Sequence, residues 1–124
     1  MRKVIITLLL MALVLPAAIC EAAYTQISQE EAARIMAEET GYIIVDVRTH
    51  EEYDEAHIPG AVLLPLGSIT QESAAAVIPD TAATVMIYCR SGNRSKQAAE
   101  KLCDLGYTAV LEFGGINTWP YEIQ

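Results

Sequence analysis

The apolar positions change period repeatedly along this chain, and each change marks a new element. Residues 4–15 are apolar apart from Thr7 and follow the basic pair Arg2-Lys3, while residues 16–23 are mostly small. Beyond them the segments shorten. Ser28-Gln29-Glu30-Glu31 forms a capping box ahead of Ala32, Ala33, Ile35 and Met36, which share one helical face as far as Glu39, with Gly41 as the stop. Residues 42–47 make a continuous apolar run that ends in Asp46-Val47-Arg48, as expected of a strand buried on both faces of a parallel sheet. Thr49-His50-Glu51-Glu52 repeats the capping box and opens a short helix to about Ala56, and residues 61–64 then read as a strand. Ser68 is placed to cap a helix over 69–77, and Pro79-Asp80 turns the chain into a strand at 84–88. Helical spacing over 95–105 ends at Gly106, residues 109–111 give a last short strand, and Gly114-Gly115 leads to a turn near Trp119. Strands and helices alternate throughout. This predicts an α/β domain with an open, mostly parallel sheet, helices on both faces and a ligand at the carboxyl ends of the strands.

The opening segment has a basic start, an apolar stretch and then small residues, the pattern of a secretory signal. Cys20-Glu21-Ala22 supplies small residues at the two positions a signal peptidase inspects, so cleavage is expected after Ala22. The expected organisation is a signal peptide over 1–22 and one domain over 23–124, exported to the periplasm. A retained anchor fits less well, because a spanning helix needs about 20 apolar residues and Pro16 interrupts this run. Lipidation at Cys20 is disfavoured by the branched Ile19 before it. No stable membrane insertion is expected once the segment is removed.

Composition narrows the partners. The 124 residues carry a formal charge of −8, and residues 23–124 hold six basic side chains against fifteen acidic ones, a formal −9. Such a surface repels phosphate backbones, which argues against nucleic acid. Three of the six basic residues, Arg90, Arg94 and Lys96, lie within seven positions, so a basic pocket is expected on an acidic body. Such a pocket favours a small anionic substrate over a large one, and the protein is expected to act as a monomer. The two histidines lie seven residues apart and there is no Cys-x-x-Cys, so no metal centre is expected. No Rossmann or P-loop glycine signature follows any strand, and no cofactor is expected.

The chemistry concentrates at Tyr88-Cys89-Arg90-Ser91-Gly92-Asn93-Arg94-Ser95. An apolar strand ends at a cysteine, a loop with one glycine and two arginines follows, and a helix begins. A turn of this kind directs backbone N–H groups inward while the helix behind it adds partial positive charge, so an anion at its centre is stabilised. The sulfur of Cys89 stands where that anion would sit, the setting that lowers a thiol pKa and holds the nucleophilic thiolate. An alternative reading is a small buried residue that ends a strand, the usual fate of a lone cysteine. The glycine and the paired arginines favour the reactive role.

Cys103 is the other cysteine of residues 23–124. On a helix that begins near Ser95 it lies about 12 Å along the axis at 1.5 Å per residue, whereas bridged Cα atoms lie within roughly 7 Å. The two are therefore not expected to pair. Cys103 shares a helical face with Ala98, Ala99 and Leu102 and is read as core.

Four landmarks in order, Val45-Asp46-Val47-Arg48, His57-Ile58-Pro59-Gly60-Ala61, the Cys89 loop, and Gly114-Gly115 with Trp119, resemble those of the rhodanese family. The size and leader are similar to those of its single-domain, exported, phage-shock-type members. One departure is Ala56, where the family often has glycine before the histidine. The resemblance implies a rhodanese-like open sheet of about five strands and a thiosulfate sulfurtransferase. Cys89 would be the catalytic nucleophile that attacks the outer sulfur of thiosulfate, releases sulfite and keeps the sulfur as a persulfide for cyanide or a thiol to remove. Arg90, Ser91, Gly92, Asn93, Arg94 and Ser95 would bind the substrate, with the two arginines orienting the oxyanion. A persulfide carrier, or a thiol redox sensor acting through a protein partner, is the alternative.

Loop length separates this reading from cysteine phosphatases. Those use Cys-x5-Arg around a phosphate; Cys89 to Arg94 is Cys-x4-Arg, a tighter ring better suited to one sulfur atom. Tyr88 also stands where such phosphatases usually carry histidine. Asp46 and Arg48 are read as supports of the loop by hydrogen bonds or an ion pair. His57 is read as a hydrogen-bonded turn residue, His50 as exposed and Trp119 as packing.

Overall fold

A computed structural model describes residues 23–124; the expected signal segment lies outside the described residues. The elements are β1 (Thr25–Gln26), α1 (Gln29–Glu38), β2 (Ile43–Asp46), α2 (His50–Glu55), β3 (Val62–Leu63), α3 (Gln71–Val77), β4 (Thr84–Cys89), α4 (Asn93–Asp104) and β5 (Ala109–Gly115). The five strands form one all-parallel sheet in the order β1-β5-β4-β2-β3.

Local chemistry accounts for most boundaries. The Ser28 hydroxyl accepts from the Glu31 amide at the start of α1, and Thr49 and Glu52 complete a reciprocal capping box at α2. Two starts differ from the sequence expectation. Residues 66–68 form a 3-10 turn, and α3 begins at Gln71 under a Thr70 cap rather than after Ser68. The last helix begins at Asn93, two residues early, because Gly92 takes a left-handed conformation (φ 103°) that turns the chain straight from the strand end into the helix. In the sheet, β5 runs four residues past the expected end, to Gly115, and β1 is an addition. Two residues carry no readable period, and their pairing with Leu111 and Glu112 is a contact across more than eighty positions.

Side chains alternate across the sheet and make two cores. On one face Val45, Val85, Ile87, Cys89 and Val110 meet Ala74 and Ile78 near α3 and Ala98, Ala99 and Leu102 of α4. On the other, Ile44, Met86, Tyr88 and Phe113 meet Ala32 and Ile35 of α1 together with Ile58 and Ala61. Helices cover both faces, as the alternating pattern requires. The sheet is parallel, so β2 and β4 deliver Asp46 and Cys89 to the same edge.

Candidate active site

Cys89 is the last residue of the central strand β4 and is 1% exposed. The loop behind it curls over its sulfur. The Gly92 amide donates to Sγ at 3.0 Å, and Ser95, the third residue of α4 and fully buried, places Oγ 3.4 Å from Sγ. Burial is the largest single influence on this thiol and raises its pKa. The Ser95 hydroxyl and the amides of Ser95, Gly92 and Ser91 together outweigh it, and the net result is a pKa below the ordinary thiol value. The shift is in the direction that favours a thiolate at this sulfur.

The turn exists because two backbones touch. A Cβ on Gly115, the last residue of β5, would collide with the Arg90 carbonyl and the Ser91 Cα, so only glycine lets β5 run beneath the loop. The Arg90 carbonyl also accepts from the Asn117 amide at 3.1 Å. The Gln29 side chain at the start of α1 donates to the carbonyls of Phe113 (3.1 Å) and Gly115 (2.9 Å) and fastens the same strip from below.

The two arginines differ in their surroundings. Arg94 makes two hydrogen bonds to the Glu52 carboxylate, at 2.8 and 3.0 Å, and this pairing holds Glu52 down to about 2. Arg90 is exposed and, among the described residues, forms no ion pair; it lines a cleft of about 290 Å³ with Arg48, Glu52, Glu55, Ala56, Ile116, Asn117 and Ile123. The lining of this cleft does not include Cys89. Ser91 and Asn93 are exposed on the loop, Gly92 is buried, and the Lys96 ammonium donates to the Gly92 carbonyl at 2.9 Å. Arg94 is thus neutralised in place, and the expected positive cluster reduces to Arg90 at the cleft and the Lys96 ammonium, which is bonded to a neutral carbonyl.

Asp46 and Arg48 form a buried pair, Nη2 to Oδ2 at 2.7 Å, and Arg48 also donates to the Ala56 carbonyl at 2.6 Å. The Tyr88 hydroxyl donates to Asp46 at 2.6 Å and accepts from the Ile58 amide at 3.1 Å. This network supports the strand end that carries Cys89 and makes no contact with Sγ. His57 stacks on Tyr53 with ring centroids 3.8 Å apart and meets the Tyr53 carbonyl through Nδ1, away from the sulfur. Both Cys89 and Cys103 are free thiols, and Cys103 is only partly buried.

Glu52, Gln29 and Glu112 support the site without having been read for it in the sequence. Glu52 shows only as a capping residue, and its reach to Arg94 crosses 42 positions. Glu112 lies beyond the strand the sequence predicts over 109–111, although alternation from Val110 places it on the same buried face. Nothing in the chain's pattern marks Gln29.

Among the described residues, no group of three or more His, Cys, Asp or Glu side chains could hold a metal ion, and no helix is long and apolar enough to cross a membrane. Residues 28–121 match the model of the rhodanese-like domain. The chain is similar to the thiosulfate sulfurtransferase PspE of Escherichia coli, 43% identical over 73 residues that cover 59% of this chain and 69% of that protein. It is also similar to the thiosulfate sulfurtransferase GlpE of Coxiella burnetii, 33% identical over 97 residues covering 77% of this chain and 87% of that one. Among solved structures, an E. coli rhodanese with anions superposes with a TM-score of 0.62 at 36% identity, covering 67% of this chain and 96% of that chain.

Proposed function

This chain belongs to the rhodanese family, and on that premise we propose that it is a thiosulfate sulfurtransferase working through a persulfide on Cys89. The Cys89 thiolate attacks the outer sulfur of thiosulfate, a new S–S bond forms, and the bond to the sulfonate sulfur breaks with its electron pair leaving on sulfite. The product is a Cys89 persulfide anion. Cyanide or a thiolate then bonds to the terminal sulfur, and Cys89 departs as the thiolate it was. One negative charge sits at the nucleophile in both forms, and no proton is required.

The observation that carries this reading is the ring of donors on one sulfur, with Gly92 N–H at 3.0 Å from Sγ at the mouth of α4. Such a ring stabilises either anion of the cycle. Arg90 orients the sulfonate by charge-assisted hydrogen bonds from the cleft; Arg94 contributes by fixing the loop through Glu52. Ser91 and Asn93 complete the rim, and Gly92 and Ser95 hold the sulfur. Asp46 and Arg48 support the strand end. The names of the PspE and GlpE relatives favour thiosulfate as the donor.

Intact mass after incubation with thiosulfate tests the assignment. The expected result is a gain of one sulfur atom that Cys89→Ser does not show, with thiocyanate formed on adding cyanide. Equal thiocyanate formation by both proteins overturns the mechanism. A persistent sulfur adduct without turnover would instead favour a carrier that hands sulfur to another protein. We also propose export, with cleavage after Ala22 and action as a monomer. A mature protein whose mass retains residues 1–22 in a native-type host would contradict the cleavage.

A further inference from the structure

Two carboxyl groups are buried among the described residues, and they are not equivalent. Asp46 has the Arg48 guanidinium. Glu112, 1% exposed, has no cationic partner among the described residues. It lies on β5 opposite Ile87 of β4, beneath the first turn of α4. Its Oε2 accepts from the Ser95 hydroxyl and, at 3.0 Å, from the Gly114 amide, and Oε1 accepts from the Gln26 amide at 3.3 Å. An unpaired buried carboxylate is costly unless its charge is shared or its proton retained.

The Ser95 hydroxyl is the link. It stands between Glu112 and Cys89, with Sγ at 3.4 Å on its other side, and it owns one proton. If the thiol and the carboxyl were both ionised, two buried anions would compete for that proton. We propose that Cys89 and Glu112 share a single proton and a single negative charge through Ser95, with Glu112 as a positioning residue for the nucleophile.

With the thiol protonated, Sγ–H donates to Ser95 Oγ and the Ser95 O–H donates to the Glu112 carboxylate. The resting protein near neutral pH is the other form, reached when the S–H bond breaks, its electron pair stays on sulfur and the proton bonds to Ser95 Oγ. The original Ser95 O–H bond breaks in the same step, and that proton bonds to Glu112 Oε2. The chain is then reversed: the Glu112 acid donates to Ser95, and Ser95 donates to the thiolate. Nothing is oxidised or reduced, and the site holds one negative charge before and after. The use of this device rests on the sulfurtransferase reading, since a persulfide anion takes over the same charge while the proton stays on Glu112.

The surrounding ionisable groups leave this arrangement in place. Tyr24, just before β1, is the titratable group that faces Glu112 from that side. From α4, Arg94 acts on Sγ across space but is held by Glu52, and Lys96 is held by the Gly92 carbonyl. Arg90 is exposed on the loop.

Infrared spectroscopy of the whole protein near neutral pH tests the proposal without turnover, so its failure is separate from failure of sulfur transfer. Wild type should show the C=O band of one protonated buried carboxylic acid. The band should be lost in Glu112→Gln, which assigns it, and lost in Cys89→Ser, whose hydroxyl does not ionise and so returns the charge to Glu112. A wild type without the band, or a Cys89→Ser protein that keeps it, overturns the proposal. The second comparison stands even if Glu112→Gln does not fold. Thiolate absorbance gives another arm: glutamine mimics the protonated acid, so the Cys89 midpoint should stay put, whereas a fall of about one pH unit or more would mean that Glu112 had been ionised beside the thiolate throughout.

Discussion

At the scale of single residues, the site depends on which groups face one sulfur. Burial alone would raise the Cys89 pKa, and the Ser95 hydroxyl with three amides turns the net shift downwards. Alkylation of Cys89 should therefore persist at pH values below the ordinary thiol range and fall only as pH drops through its lowered pKa. Ser95→Ala removes the largest favourable contribution, moves the Cys89 pKa back up and should slow alkylation near neutral pH several-fold. Glu52 gives a second expectation. Its carboxyl titrates at about 2 instead of the usual 4.5 because Arg94 is bonded to it. A carboxyl with a depressed folded pKa adds stability that is complete above its unfolded value and is lost as pH falls towards the folded one. Glu52→Gln should cost about 1 kcal/mol near neutral pH, as befits a pair that is only partly buried. Denaturant melts of the two proteins should converge between pH 4.5 and 2.

At the scale of elements, the strand ends of β2 and β4 are joined to the segment between α2 and β3 by one phenol. Tyr88 is fully buried, pairs in register with Asp46, donates to that carboxylate and accepts from the buried Ile58 amide. Tyr88→Phe keeps the ring but orphans the Ile58 N–H and removes a donor from Asp46. The expected loss is about 1–3 kcal/mol, read as a lower urea midpoint at unchanged slope. The landmark His57-Ile58-Pro59-Gly60 is thereby linked through hydrogen bonding to the strand that carries Cys89. The Cys89 loop, in turn, belongs to two elements as much as to itself: α4 supplies Ser95, and β5 supplies the glycine on which Arg90 and Ser91 rest.

For the whole molecule, the relevant quantity is charge. Residues 23–124 carry a formal −9, and the cleft beside the loop mixes Arg90 with Glu55 while Arg94 is neutralised by Glu52. On the proposed function, a doubly charged donor would approach an acidic body whose mouth offers little net attraction. Raising ionic strength from low to moderate should therefore increase kcat/KM for thiosulfate, because screening over about 10 Å removes the long-range repulsion. A fall with salt would show that Arg90 dominates the approach.

Much of this protein is legible in its sequence. Alternating short segments of helical and extended period, each with its cap or stop, determine a parallel α/β sheet, because those signals are local and recur within a few residues. The spacing from Cys89 to Arg94 and the glycine between them mark the loop around the proposed nucleophile for the same reason. The tertiary structure decided whatever depends on positions far apart in the chain: the pairing of Thr25–Gln26 with β5, the capture of Arg94 by Glu52, the seat of the loop on Gly115, and the place of Glu112 behind Ser95. The loop at Cys89 is written in the sequence. Which charges reach its sulfur is not, because charges act through space, and only the folded sheet brings β5 and α2 to that edge.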